Sequence, residues 1–171
     1  MNNKVIKFLI IFGILAANIG CDQVTKYYAQ KKLKNSDAVY VLGTYVVLTY
    51  AENNGGFMGK LSKLPKPARL IFLIVFPILI IVALFLYIFK QKKLTTWQII
   101  ALSTLVAGGI SNVTDRIINN EYVIDFMNIG IGKIRSGIFN FADLSILCGI
   151  ALFLFIQYKK EKIKKTTSVE T

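Results

Sequence analysis

The chain has 171 residues, of which 54% are hydrophobic, and a formal charge of +12; its mean hydropathy is +0.55. The apolar residues gather into long runs, which excludes an ordinary soluble domain and points to the bilayer as solvent. Basic residues flank those runs instead of forming one patch, the usual arrangement at the ends of spanning segments, so nucleic acid is not expected as a partner.

Histidine is absent from the sequence, and the two cysteines, Cys21 and Cys148, lie far apart in apolar segments. Ser-His-Asp and Cys-His catalysis are thereby excluded. No disulfide framework, zinc site or other conventional metal site is expected, and no cofactor. Chemistry has to come from carboxylates, amines, hydroxyls or a lone thiol.

In chain order, a first span is expected over about 5–25. Only Phe8 to Cys21 is free of charge there, so Lys7 must snorkel or Asp22 must close the far end. The basic start, the apolar run and Ala17-Asn18-Ile19-Gly20-Cys21 also resemble the signal peptide of a lipoprotein. Against that reading stand three further apolar runs and Asn18, which occupies the place where such signals usually carry leucine. The second span, 70–89, and the third, 94–114, are uncharged and match the ~20 residues that a helix needs to cross the hydrocarbon core. Pro77 is expected to kink the second. The fourth, 137–158, has the length but contains Asp143.

Between the spans, Val39 to Tyr50 and Tyr122 to Ile134 are rich in β-branched and aromatic residues and read as strands, with Gly130-Ile131-Gly132 as a turn. The expected fold is an all-α membrane protein of four transmembrane helices with a small extracytoplasmic β-sheet and loop region. It would form one membrane-embedded domain over 1–165, with outer loops at 26–69 and 115–136 and a flexible cytoplasmic tail at 166–171. The chain after Lys159 is expected to be solvated and poorly ordered. Lys4/Lys7, Lys90/Lys92/Lys93 and the run from Lys159 to Lys165 would mark the cytoplasmic side.

The nine acidic residues are informative by their placement. Asp22 ends the first span, Asp115 ends the third, Asp125 follows shortly after, and Asp143 lies in the fourth. Counted from Gly137 at about 1.5 Å per residue, Asp143 sits roughly 9 Å down its helix. An aspartate there costs about 2.5–3.5 kcal/mol even on mild insertion scales and needs a partner or a purpose. Structural readings exist for each: an Asp22/Lys26 pair four residues apart on one helix face, an Asp115/Arg116/Asn112 helix end, and an Asp143/Asn140 contact. Several aspartates at one shallow depth also suit another chemistry. Two neighbouring carboxylates share a proton; the ionised one activates water and the protonated one polarises a carbonyl, which hydrolyses an amide without histidine or metal.

At these residues the sequence resembles a known family, the bacterial lipoprotein signal peptidases (signal peptidase II), which are aspartyl proteases. Asp22-Gln23-Val24-Thr25-Lys26 is similar to the family's D-x-x-[ST]-K, and Gly108-Gly109-Ile110-Ser111-Asn112-Val113-Thr114-Asp115-Arg116 to its G-G-x-x-N-x-x-D-R. Val123-Ile124-Asp125-Phe126 resembles V-x-D-F, and Phe139-Asn140-Phe141-Ala142-Asp143 resembles F-N-x-A-D. Order and spacing match from Asp22 to Asp143. One stretch departs: Asn53-Asn54-Gly55-Gly56-Phe57 keeps N-x-G but brings its phenylalanine one place early, so that only Asn53 and Gly55 carry over.

The resemblance implies that Asp125 and Asp143 are the catalytic pair. It also implies cleavage of a prolipoprotein just before the cysteine that bears a diacylglyceryl group, and inhibition by the cyclic peptide globomycin. Asn53, Gly55, Gly108, Asn112, Asp115, Arg116, Asn140, Asp22 and Lys26 would order the site or contact substrate, with Gly108 and Gly109 allowing close helix packing or room for the substrate. Lys26 and Arg116 are also candidates to attract the phosphate of membrane phospholipid. A monomer in the bacterial inner membrane is expected, with its active site near the extracytoplasmic face.

On the residues alone Asp115 stands as a rival to Asp125. The preference for Asp125 rests on Arg116, which would hold Asp115 ionised, whereas a shared proton needs a pair without a fixed counter-ion. Two other classes remain: a Ser-Lys peptidase using Ser103, Ser111 or Ser145 with Lys26, and a non-enzymatic carrier using the aspartates as a proton relay. No lysine lies within the third or fourth span, and no internal repeat supports a transporter.

Overall fold

A computed structural model describes residues 3–56 and 61–167. It is mostly helical, with one small antiparallel sheet. Helix α1 spans Asn3–Leu33; strands β1 (Val39–Val41) and β2 (Val46–Asn53) follow as a hairpin. A helical rod then runs from Lys66 to Lys90 as α2 (Lys66–Leu70), a π-helical turn (Ile71–Val75) and α3 (Phe76–Lys90). Helix α4 (Thr96–Ile118) leads into β3 (Val123–Ile131) and β4 (Ile134–Arg135), and α5 (Phe141–Thr167) closes the fold.

Among the described residues, three helices are long and apolar enough to cross a membrane: Lys4–Leu33, Lys66–Lys90 and Phe141–Lys165. The remaining expected span, 94–114, is α4, which is not among them. Gln98, Ser103, Ser111, Asn112, Asp115 and Arg116 all lie buried on α4, so polar groups take places that a lipid-facing helix fills with leucine. Helix α4 is the hub, packed against α1, α3 and α5. The outer helices turn large apolar side chains outward, among them Phe12, Leu79 and Leu154, which are 61–63% exposed. That inside-out distribution suits lipid as the surroundings.

Local signals explain the helix boundaries. Thr95 and Gln98 form a reciprocal cap at the start of α4, with Gln98 N donating to Thr95 Oγ1 at 3.3 Å and Thr95 N to Gln98 Oε1 at 2.9 Å. The π turn answers the expectation of a kink at Pro77. Proline supplies no N–H to the turn before it, and the ladder there resets so that Phe76 N reaches back to Ile71 O.

Two boundaries depart from the sequence reading. Helix α1 does not stop near 25 but runs to Leu33, about 46 Å in all against ~30 Å of hydrocarbon. Its last turns carry Ala29 and Leu33, which pack under Ile124 and Phe126 of the sheet, so outer loop 26–69 begins as helix. At the other end α5 is helical through Thr167 although the chain after Lys159 was expected to be poorly ordered. Of the expected tail 166–171, residues 168–171 lie outside the described residues.

The sheet has order β1-β2-β3-β4, all antiparallel. Leu42 (φ 52°) and Gly43 (φ 67°) turn the first hairpin, and Gly132 (φ 55°) turns the second. Strand β2 carries one extra residue between Leu48 and Ala51, opposite the stretch from Met127 to Asp125. A bulge there re-aims the side chains beyond it.

Small residues set the α4–α5 distance. A Cβ at Gly108 would strike Ala142 O, and one at Gly149 would lie 2.7 Å from both Ala101 O and Leu105 N. Gly149→Ala is expected to cost about 1–3 kcal/mol by overpacking, read as a fall of several degrees in thermal unfolding in detergent. Gly13→Ala, where a Cβ meets nothing within 4 Å, is the control and should be neutral or gain up to about 1 kcal/mol. Equal stability of the two variants would contradict the close helix contact.

Candidate active site

The site is assembled around a buried lysine. Lys26 is 2% exposed, and its ammonium lies 2.6 Å from Asp22 and 2.8 Å from Asp115. Its third donor goes to Asn112 Oδ1 at 3.1 Å. The expected Asp22/Lys26 pair therefore exists, but it is buried and three-cornered where an interfacial pair was anticipated. It also corrects the expected counter-ion of Asp115: Lys26 pairs with it, while the Arg116 guanidinium turns back to Asn112 O at 3.4 Å. With all three protons engaged, Lys26 has none left for a lipid phosphate.

Around this core the remaining carboxylate oxygens find donors. Asp22 accepts from Ser111 Oγ at 2.6 Å and from Ala142 N, in the first turn of α5, at 2.8 Å. Asp115 accepts from Gln23 Nε2 at 2.7 Å and from Ile124 N at 3.4 Å, which ties the end of α4 to the start of β3. Full satisfaction is what two buried carboxylates require.

Asp143 sits elsewhere than the sequence count put it. Helix α5 begins at Phe141, not Gly137, because Phe139 is still paired with Met127 of β3. Asp143 is thus in the first helical turn, not roughly 9 Å down. Asn140 caps that turn reciprocally: Asp143 N donates to Asn140 Oδ1 at 2.9 Å, and Asn140 N donates to Asp143 Oδ2 at 3.3 Å. Asn112 Nδ2 donates to Asp143 Oδ1 at 2.8 Å.

Asp125 lies on β3, 2% exposed, opposite Ala51 of β2. Asn140 Nδ2 donates to its Oδ1 at 2.6 Å and Asn53 Nδ2 to its Oδ2 at 2.8 Å. Gly55 N donates to Asn53 Oδ1 at 3.2 Å and so fixes which end of that amide faces the carboxylate. Burial pushes the Asp125 carboxyl up to about 6; the Asn53 hydrogen bond opposes the rise, and the charge of Asp143 adds to it.

Asn140 therefore joins the two aspartates, its side chain on Asp125 and its backbone N–H on Asp143. Asp125 and Asp143 both line one cavity of ≈ 510 Å³. Its polar end also presents Asn53, Asn112 and Arg116, while Phe72, Leu73, Pro77, Leu144 and Leu147 line the apolar remainder. Such a cavity can hold an apolar group beside a pair of carboxylates. Asp22, Asp115 and Lys26 stand behind it and do not line it.

Three contributors were missed in the sequence reading. Gln23 links Asp115 and Ser111, and its place inside D-Q-V-T-K was the available signal. Ser111 was weighed as a nucleophile, yet its hydroxyl is spent on Asp22. Gly56 (φ 53°) lines the cavity, and a Cβ there would meet Leu73 Cδ2 at 2.9 Å and Arg116 at 3.5 Å. Ser145 bonds Asn18, and Ser103 is buried without a partner among the described residues. A Ser-Lys pair has no support here, since the Lys26 amine is engaged by Asp22, Asp115 and Asn112. The early phenylalanine, Phe57, lies outside the described residues.

Helices suited to a membrane, a buried acid pair without histidine and an apolar cavity beside it define the class: a membrane-embedded aspartic peptidase. The sequence model of a family described as signal peptidase (SPase) II matches residues 14–159. Relatives named lipoprotein signal peptidase in Staphylococcus aureus strains JH9 and Newman are 32% identical over 149 residues, covering 87% of this chain and 88% of theirs. A solved structure titled as a bacterial membrane enzyme at 2.3 Å superimposes with a TM-score of 0.76 at 30% identity, covering 92% of this chain and 90% of that one. A second, at 1.9 Å, gives 0.70 at 30% identity, covering 88% and 91%. This chain belongs to the signal peptidase II family.

Removing the Lys26 charge tests the arrangement. Lys26→Met leaves two buried carboxylates uncompensated and is expected to cost about 3–5 kcal/mol in unfolding stability. Adding Asp115→Asn should return part of that loss, because one of the two stranded charges is gone. A double variant less stable than the single one would refute the counter-ion role.

Proposed function

We propose that the chain is an intramembrane aspartic endopeptidase that removes the signal peptide of a diacylglyceryl-modified prolipoprotein, cutting before the lipidated cysteine, with Asp125 and Asp143 as its catalytic pair. The observation that carries the reading is one cavity lined both by two aspartates, coupled through Asn140, and by apolar side chains. The lipid-bearing residue would rest along Phe72, Leu73 and Leu147, and the scissile peptide would lie at the carboxylates.

Asp125, pushed up by burial, carries the proton and polarises the scissile carbonyl; Asp143 takes a proton from the attacking water. Water oxygen bonds to the carbonyl carbon, the C–N bond breaks, and the proton passes to the departing cysteine amine. Asn53, Asn112 and Asn140 hold the carboxylates with neutral donors, and Gly55 orients Asn53. Arg116 faces the cavity as a contact for substrate carbonyls. Asp22, Lys26, Asp115 and Gly108 keep the helices that carry the pair in register. Four spans, α4 being the third, would form one domain over 1–165 in the bacterial inner membrane as a monomer among phospholipid, with the pair at the outer face.

Asp125→Asn and Asp143→Asn should each lower cleavage of a purified lipidated precursor by about 10²–10⁴-fold, with the protein still folded; Asp115→Asn should act chiefly on stability. Full activity in the Asp125 variant with loss in the Asp115 variant would reverse the assignment. An unmodified precursor should resist cleavage, and equal turnover of both precursors would remove the lipid from the specificity.

The pH dependence follows from Asp125. Its raised value means the proton is present below about pH 6 and leaves as pH rises through it, so kcat/KM should fall on that alkaline limb. Bound substrate excludes water and moves the limb upward in the kcat profile. A kcat/KM that rises through pH 6 would contradict Asp125 as the proton carrier.

A further inference from the structure

We propose that a second cavity, on the other side of Arg116, binds the phosphate of an anionic glycerophospholipid. The cavity measures ≈ 390 Å³, and Arg116 lines both it and the peptidase cavity. Lys66, Leu70 and Ile74 on one wall are spaced four apart, so a cation stands above two apolar side chains on one helix face. Lys66 opens the apolar rod Lys66–Lys90, which sets the cation at the boundary of that rod and the apolar pair below it. Opposite stands Ile117 of α4, 63% exposed. A polar head above an acyl chain has this profile.

The electrostatics favour an anion. Glu121 is the one carboxylate lining the cavity, and Arg69 neutralises it through Nε at 3.2 Å and Nη2 at 2.9 Å, with Lys66 3.7 Å from its other oxygen. Lys66 is largely exposed and remains free to turn toward a ligand. Arg116 is 9% exposed, and its Nε is buried with no partner among the described residues. Because Arg116 nonetheless lines this cavity, its guanidinium can supply a donor to a phosphate oxygen there. The rim is fixed by two consecutive left-handed residues, Asn120 (φ 52°) and Glu121 (φ 78°), held there by the ion pair to Arg69 and by Glu121 N donating to Arg116 O at 2.8 Å.

The test reads lipid, not cleavage, so its outcome is separate from that of the peptidase assignment. Delipidated full-length protein in detergent is given phosphatidylglycerol, diacylglycerol with the same chains, or inorganic phosphate, and retained ligand is measured by native mass spectrometry beside thermal unfolding. Phosphatidylglycerol should be retained and should raise the unfolding temperature, while the other two should not. Lys66→Glu should cut retention at least about fivefold, as expected for one charge-assisted contact worth about 1 kcal/mol or more, and Ile117→Trp should lower it by filling the apolar wall. Equal effects of diacylglycerol, a full effect of inorganic phosphate alone, or undiminished retention in both variants would each overturn the proposal.

Discussion

A positive charge enclosed by protein governs this molecule. Lys26 has exchanged water for two carboxylates and an amide oxygen, and a buried ammonium in that position is stable only while every partner stays in place. The partners come from α1 and α4, and Asp22 reaches further, to a backbone N–H of α5. Three helices are therefore locked at one height by electrostatics, in an environment where apolar contact between helices gives little preference for one depth over another.

The lock leaves the other two aspartates in a different state. Asp22 and Asp115 are paired with a cation; Asp125 and Asp143 are held by asparagine side chains and one backbone N–H. Neutral donors hold those two carboxylates in place without the ion pair that Lys26 makes with the other two. Four acids of one kind are thus sorted into a pair held by a cation and a pair held by neutral donors. Asn112 spans the division, accepting from Lys26 and donating to Asp143.

Much of this was legible in the sequence. The span at 70–89 follows from an unbroken apolar run, the helix at 94–114 from the same kind of run though not as a span, the strands from β-branched residues, and the convergence of acids from their positions at helix ends. Other features were hidden for identifiable reasons. The continuation of α1 to Leu33 is polar and amphipathic, so a hydropathy reading stops at the charge. The true start of α5 depends on Phe139 pairing with a strand ten and more residues upstream, which no local pattern records. Gly149 looks like any small residue until Ala101 and Leu105 are brought against it. The counter-ion of Asp115 was sought in its neighbour Arg116 and lies instead at Lys26, on another helix.

The sheet joins parts of the chain made far apart in time. Asn53 ends β2, and its partner Asp125 arrives only after residues 54–124 have been synthesised, a delay on the order of 4–14 s at ribosomal speeds. Through that interval β2 has one edge open, and for most of it Lys26 lacks Asp115. The cavity is consequently unfinished while the chain is being made, because Asp143, the later of the two acids that line it, follows Asp125 in the sequence.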